Sequence, residues 1–482
     1  MTSAYRTQQA DCKPTTTGAE QSALPLLDFD SAKATESPRQ QLGLDQGLSS
    51  VSSEGLRPLG NTANNYGKPS FPQVTAADIQ RAQKRSATRA EMGKIAKWLR
   101  YVSVIGRVRA CRTYSVNKGG AVQVRQSEKG VGFAGLNTCG SAWSCPRCNQ
   151  KIMATRRKEI EVMLNNAYSR GYTTAMVTMT LRHRQGQPLK ELWDTLQKCW
   201  VSVGGSRKVR RIRQELKFLG CVRLVEVTYG DNGWHPHIHA IYVFEKPVSQ
   251  ADLERLRDAE LAQWKTTAVK RGLGAPNHRG MKIERIGGSK KHRDKAISDY
   301  FSKVTWSGMS QQKRTLDSEK AAWEMASPAT KRGRRKGSRT PFQILRDSEE
   351  SHLADDVDIW NEYEEASRGR KMFSWSQKLK PLRMEEKTDQ ELADEEIGSK
   401  EDDVLEIQEW HQVMLVDQQR FDIDVPSSIL NVLDQQGVVA CANYCRSLGI
   451  DVKLNHQNLN RRAKERVHQQ TVALINHYEG VS

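Results

Sequence analysis

Three histidines spaced two apart, in GWHPHIHAIYVF from Gly233 to Phe244, are residues whose type and spacing could do chemistry. The segment reads as a β-strand, preceded by VRLVEVTY (Val222 to Tyr229) and a Gly-Asp-Asn-Gly turn, so the two runs form a hairpin. Alternate residues of a strand share a face, which sets His237 beside His239, with Glu226 within reach on the partner strand. Two imidazoles and a carboxylate make a divalent-cation site with open positions, suited to Mg2+ or Mn2+ once a phosphate oxygen joins. A half-exposed polar strand face is the plainer account of one histidine, and a poorer one of this cluster. Pro236 has no N–H to give a neighbouring strand, which suggests a strand start or edge where a ligand can approach.

Two further groups are candidates. In KHRDKAISDYFSKV, Lys291 to Val304, Tyr300 stands three residues before Lys303, so both fall on one face of a helix. Tyr363, in NEYEEA, is a rival tyrosine, but neighbouring carboxylates raise a phenol's pKa. In CGSAWSCPRC, Cys145 and Cys148 have zinc-knuckle spacing and Cys139 lies six residues earlier. Buried small residues that simply pack are the alternative.

The elements that must position these groups follow from periodicity. TTAMVTMTL (Thr173 to Leu181) reads as a strand and PLKELWDTLQKCWVSV (Pro188 to Val203) as a helix; the hairpin follows. Ser249 caps a helix running to about Arg271, and MKIERI (Met281 to Ile286) is a last strand. The order β-α-β-β-α-β predicts an α+β fold, a ferredoxin-like antiparallel sheet with helices on one face.

The chain has 482 residues, 37% of them hydrophobic, and carries 75 Lys and Arg against 56 Asp and Glu, a net +19 that favours a polyanionic partner such as nucleic acid. No run of about 18 apolar residues and no signal-peptide core is present, so a cytoplasmic chain without a membrane role is expected. Nine cysteines in a reducing cell fit metal binding better than disulfides. Composition divides the chain into a disordered tail (1–87), a basic cysteine-rich region (88–170), a domain carrying the histidines and Tyr300 (171–310), and a basic loop with a helical extension (311–383). An acidic solvated linker (384–403) and a small helical C-terminal module (404–482) complete it. Arg156, Arg157 and Lys158 on one helix, with Lys208, Arg210 and Arg211 in GGSRKVRRIRQ, are candidates to hold DNA phosphates, although such faces are more often solvated. No Gly-x-x-x-x-Gly-Lys-Ser/Thr loop is found, so no ATPase of the chain's own is expected.

Two enzyme classes use histidines in this pattern. HPHIHAI resembles the strand of histidine-triad nucleotide hydrolases, in which His237 would be the nucleophile. His237-Ile238-His239 also resembles the histidine-hydrophobic-histidine signature of HUH endonucleases, in which the pair binds metal and a later tyrosine attacks DNA. Tyr300 and Lys303 downstream fit the second. With CGSAWSCPRC, VTMTLRH (Val177 to His183), EVTYGDNGWHPHIHAIYVF, DYFSKV, RTPFQIL and WNEYEEASRGRKMFSWSQKLK in order, Arg107 to Leu382 is similar to the rolling-circle plasmid replication initiators of the HUH superfamily. The resemblance implies an HUH fold, Mg2+ or Mn2+ on His237, His239 and Glu226, and His235 as a supporting or DNA-facing residue. It further implies attack by Tyr300, with Lys303 stabilising phosphate or phenolate, to leave a 5′-phosphotyrosine and a 3′-OH primer, followed by rejoining. It also implies a structural Zn2+ with Cys111 as fourth ligand, and host helicase, polymerase and single-strand-binding protein as partners. The position of a glutamate found before the tyrosine in some relatives is Ala296 here, leaving Asp294, Asp299 or a second subunit's Tyr300 to end the reaction. A zinc-dependent DNA-binding regulator without chemistry is the third alternative.

Overall fold

The computed structural model describes residues 76–301, 338–420 and 422–479. Lys303 and most of the basic Lys331–Arg339 loop lie outside the described residues, as do residues 1–75. The expectation of a tail to residue 87 is corrected by helix α1 (Ala76–Val102), whose Arg85 and Arg89 pair with Asp434 at 3.3 and 3.2 Å. Its start is rich in Ala, Gln, Arg and Lys, strong helix formers that composition alone reads as polar tail.

The histidine-bearing region is a five-stranded antiparallel sheet in the order β6-β3-β5-β4-β7. Its strands are β3 (Thr173–Thr180), β4 (Phe218–Gly230), β5 (Gly233–Phe244), β6 (Met281–Arg285) and β7 (Phe373–Trp375). Between β3 and β4 stand helices α4 (Leu189–Gly205) and α5 (Arg207–Glu215); α6 (Gln250–Lys270) joins β5 to β6, and α7 (Lys290–Phe301) follows. The β-α-β-β-α-β order is therefore present, with α5 and the edge strand β7 added. The β4–β5 turn closes on Gly233, at φ +74°, where a Cβ would stand 3.3 Å from the Gln185 Cα, so both conformation and space call for glycine.

Helix α4 buries Leu189, Leu192, Trp193, Leu196, Cys199 and Val203, a 3.6-period stripe laid on the sheet. Alternation gives β5 two different faces. His235, His237, His239 and Ile241 share one, and Trp234, Ile238, Ala240 and Tyr242 the other. The second face carries α4, α5 and α6: Arg223, beside Ala240, bonds Gln197 of α4 at 2.7 Å, and Tyr242 Oη lies 3.2 Å from Glu260 of α6. The histidine face carries α7, which in turn packs on α3 (Pro146–Ser169), with the Arg293 guanidinium 4.7 Å from the Tyr168 ring centre.

A second antiparallel sheet, ordered β2-β1-β8-β9, joins β1 (Val122–Ser127) and β2 (Gly130–Ala134) to β8 (Asp403–Ile407) and β9 (Val452–Leu454). The C-terminal segment, expected to be helical, thus contributes two strands as well as helices, and shares one core with the earlier hairpin through Val122, Val124, Phe133, Leu405 and Trp410. A two-stranded hairpin is marginal alone, and β8 supplies the third strand. The acidic stretch 384–403 is also not a solvated linker throughout. A short helix, Asp389–Asp394, buries Leu392 and Ala393, and Asp403 and Glu396 pair with Arg125 at 2.5 and 2.8 Å. Its charges read as linker because their partners are far away in sequence.

Candidate functional site

Strand register decides which side chains meet. Glu226 on β4 stands directly opposite His237 on β5, and Thr178 on β3 directly opposite His239. The Glu226 carboxylate lies 3.0 Å from His237 Nε2 and 3.1 Å from His239 Nε2, with Glu226 and His237 buried. The other ring nitrogens are also occupied. His237 Nδ1 lies 3.2 Å from the His235 carbonyl and His239 Nδ1 lies 3.1 Å from Thr178 Oγ1. A carbonyl only accepts, so His237 carries its proton on Nδ1, and a neutral ring turns the Nε2 lone pair toward the carboxylate. Two acceptors held 3.0 Å apart in a buried site call for a cation or a second proton between them, and the donor set fits a divalent metal. The ligand atoms of Glu226, His237 and His239 lie within 4.8 Å of one another, as one ion requires.

His183, within the quoted VTMTLRH stretch, was not singled out from sequence. Its Nε2 lies 2.6 Å from His235 Nδ1 and its Nδ1 3.0 Å from the Asn232 carbonyl, and burial lowers its pKa. His235 thus extends the row of rings toward β3. Thr178 was missed too; the signal was the period of TTAMVTMT, which turns Thr178 and Thr180 to the histidine face.

Tyr300 lies on the same face, buried, its ring centre 6.3 Å from that of His239 and 6.3 Å from that of Phe373. Its hydroxyl donates to the Val222 carbonyl at 3.4 Å. Val222 stands four residues from Glu226, about 13 Å of extended strand, so ring and cluster are neighbours while the oxygen points along β4 away from it. Burial, then the nearby Cys221 thiol, pushes the phenol pKa well above its ordinary value, and Arg223 opposes them. Tyr363 is placed differently. It stacks on Trp234, on the face opposite the histidines, and its hydroxyl donates to the Trp143 carbonyl at 3.3 Å.

Cys111, Cys139, Cys145 and Cys148 converge in a buried cluster whose sulfurs lie 3.8 Å (Cys111–Cys148), 3.6 Å (Cys139–Cys148) and 3.7 Å (Cys145–Cys111) apart. These are too long for disulfides. A tetrahedral ion with Zn–S bonds of about 2.3 Å has S–S edges of about 3.8 Å, so the four thiols are spaced to hold one metal ion such as zinc. The three neighbouring sulfurs lower the Cys111 pKa below that of an ordinary thiol.

The basic candidates separate. Arg156 is buried, paired with Glu159 at 2.9 Å and Asp389 at 2.8 Å, and so is corrected from a phosphate-binding cation to a bond between α3 and the Asp389–Asp394 helix. The sequence could not show Asp389, 233 positions away. Arg157 and Lys158 are exposed on α3. Lys208, Arg210 and Arg211 are exposed on α5, in the layer across the sheet from the histidines. Among the described residues no helix is long and apolar enough to cross a membrane.

Residues 133–269 match a family described as Replication protein. A Streptomyces lividans protein named Protein rep is 28% identical over 320 residues, covering 54% of this chain and 67% of the relative. A Streptomyces cyanogenus protein named Neomycin resistance protein is 31% identical over 147 residues, covering 25% of this chain and 34% of the relative. No solved structure matches the chain.

Proposed function

We propose, on the premise that residues 133–269 are a replication-protein domain, that this chain is a plasmid replication initiator that nicks one strand of origin DNA through Tyr300 and later rejoins it. One observation carries the reading: the Glu226, His237 and His239 ligand atoms converge on the sheet face against which the Tyr300 ring packs. The strand order of the sheet, with α4 and α6 on the opposite face, supports a ferredoxin-like HUH fold.

Glu226, His237 and His239 would hold a divalent cation, Mg2+ or Mn2+. That ion supplies positive charge to polarise the scissile phosphate and to offset the charge that develops on it. The His235 carbonyl and Thr178 hydroxyl occupy the Nδ1 atoms of the two rings, which leaves Nε2 of each as the atom that would bind the ion. The Tyr300 oxygen bonds to phosphorus while the bond to the 3′ oxygen breaks, leaving a 5′-phosphotyrosine and, once the phenol proton is passed on, a free 3′-OH for a polymerase. Rejoining reverses the step, because the phosphodiester energy is kept in the tyrosine link. Before attack the phenol must leave the Val222 carbonyl and turn toward the cluster. Lys303, three residues on, is assigned to the phosphate or the phenolate. Arg157 and Lys158 hold strand phosphates, and the four cysteines would hold a structural zinc.

The test is covalent capture. Labelled single-stranded origin DNA with Mg2+ or Mn2+ should give a protein–DNA adduct that Tyr300→Phe abolishes and His237→Ala weakens. An adduct that persists in Tyr300→Phe sinks the tyrosine assignment. No adduct from the wild type on any origin strand sinks the nicking reading.

A further inference from the structure

Helix α5, RKVRRIRQE, is held in place at an electrostatic cost that its own residues do not repay. Arg207 with Arg210 and Arg211, Lys208 with Arg211, and Arg210 with Arg213 are like charges three or four residues apart, each pair destabilising by a few tenths of a kcal/mol. Only Val209 and Ile212 are buried apolar residues. The helix is anchored by Arg213, which reaches inward to Glu260 at 2.7 Å and Tyr242 Oη at 3.0 Å and lies 4.7 Å from the Phe218 ring centre. Glu260 is fully buried, and burial raises its pKa against the pull of Arg213. One arginine thus fixes the helix while the rest stay outside. Arg211 is partly engaged with Glu215 at 3.1 Å, whereas Arg207, Lys208 and Arg210 make no ion pair or side-chain hydrogen bond among the described residues. Such local conflict marks a surface that meets an anion.

We infer that the crest formed by Arg207, Lys208 and Arg210 on α5 is a docking surface for the phosphate backbone of double-stranded DNA, separate from the strand-cutting site. The inference rests on the DNA-nicking reading for its choice of polyanion. Three observations select duplex. The crest lies in the layer across the sheet from His237, His239 and Tyr300, so it does not hold the scissile phosphate. Its exposed residues, Arg207, Lys208, Arg210, Arg211, Gln214 and Glu215, include no aromatic ring on which unpaired bases could stack. The groove on its α6 side is lined by Glu215, Glu254 and Asp258 together with Lys208, Arg211 and Arg255, charges that balance, so the uncompensated positive charge lies on the crest. One copy could therefore grip duplex on one face while a single strand occupies the other.

The experiment compares the full chain with R207Q/K208Q/R210Q and with R207K/R210K, which keeps the charge. Binding to a labelled duplex without a nick site is measured by anisotropy between about 50 and 200 mM KCl, the range over which phosphate contacts register. Three lost contacts should lower the log–log salt slope of the glutamine variant by about 2 to 3. Duplex affinity should fall at least about tenfold more than the yield of adduct with single-stranded DNA, as expected when backbone contacts alone are lost. The lysine variant should bind as the wild type does, which separates charge from folding. Unchanged slope and affinity, a parallel fall in adduct yield, or no duplex binding by the wild type would each overturn the proposal. Duplex binding that is lost only in the glutamine variant, from a protein that forms no Tyr300 adduct, upholds the surface and defeats the nicking reading.

Discussion

The Glu226, His237 and His239 cluster predicts that the protein's stability depends on a divalent cation. With His237 Nδ1 against the His235 carbonyl, a neutral ring would set its Nε2 lone pair against the Glu226 carboxylate at 3.0 Å inside the fold. A cation relieves that opposition only in the folded state, so it stabilises by mass action. At a free Mn2+ concentration about 100 times the dissociation constant the gain is about 2.7 kcal/mol. For a chain of this size, on the order of 1 to 2 °C per kcal/mol gives a melting shift of roughly 3 to 5 °C. Glu226→Gln keeps the shape and removes the negative ligand, and should cut Mn2+ affinity at least tenfold, or about 1.4 kcal/mol of the gain at the same concentration. Mn2+ favours oxygen and imidazole over thiolate, so zinc retained in the cysteine cluster does not mask the effect. Differential scanning fluorimetry with a Mn2+ titration measures both. Equal shifts in wild type and Glu226→Gln, or none in the wild type, would refute the reasoning.

Four further predictions concern other parts of the molecule. Cys148→Ser should release the metal of the cysteine cluster, seen as a loss of about one zinc equivalent in a colorimetric chelator assay, with a lower melting temperature. Arg213→Met should destabilise by about 3 to 5 kcal/mol because Glu260 is left buried and unpaired, whereas Arg213→Met with Glu260→Met should come close to wild type; urea titrations that rank the double variant lower would contradict this. On the proposed attack by the Tyr300 phenolate, the rate of adduct formation should rise about tenfold per pH unit from pH 6 to 9, because burial holds the Tyr300 pKa above the ordinary value near 10; a plateau within that range would refute it. Arg156→Ala should lower stability and leave the salt dependence of DNA binding as it was, the reverse of what a phosphate-binding arginine would do.

Local order was legible in the sequence where one element carried its own signal. The strand period of HPHIHAIYVF, the hairpin turn and the stripe of α4 can be read without neighbours, and so can the placing of Glu226 across from His237, since a two-residue turn fixes register. Long-range partners were not legible. Asp389 for Arg156, Glu260 for Arg213 and Asp403 for Arg125 come from segments whose charges look like ordinary solvated surface. The direction of the Tyr300 hydroxyl was also out of reach, because it depends on how α7 lies across β4. Helix periodicity says which face a residue shares and nothing about where its last atom ends.

The pairing of β1 with β8 has a consequence for how the chain is made. Val122, Val124 and Phe133 emerge from the ribosome early, but the strand that covers them begins at Asp403. At a synthesis rate of about 5 to 20 residues per second, the hairpin beside the cysteine cluster waits roughly 15 to 55 s for its third strand. During that interval its apolar face is open to chaperones, to aggregation and to other nascent chains. A ribosome that stalls after Trp375 has emerged but before residue 403 yields a product whose histidine sheet is complete but whose second core is not, and quality control has an exposed hairpin by which to recognise it.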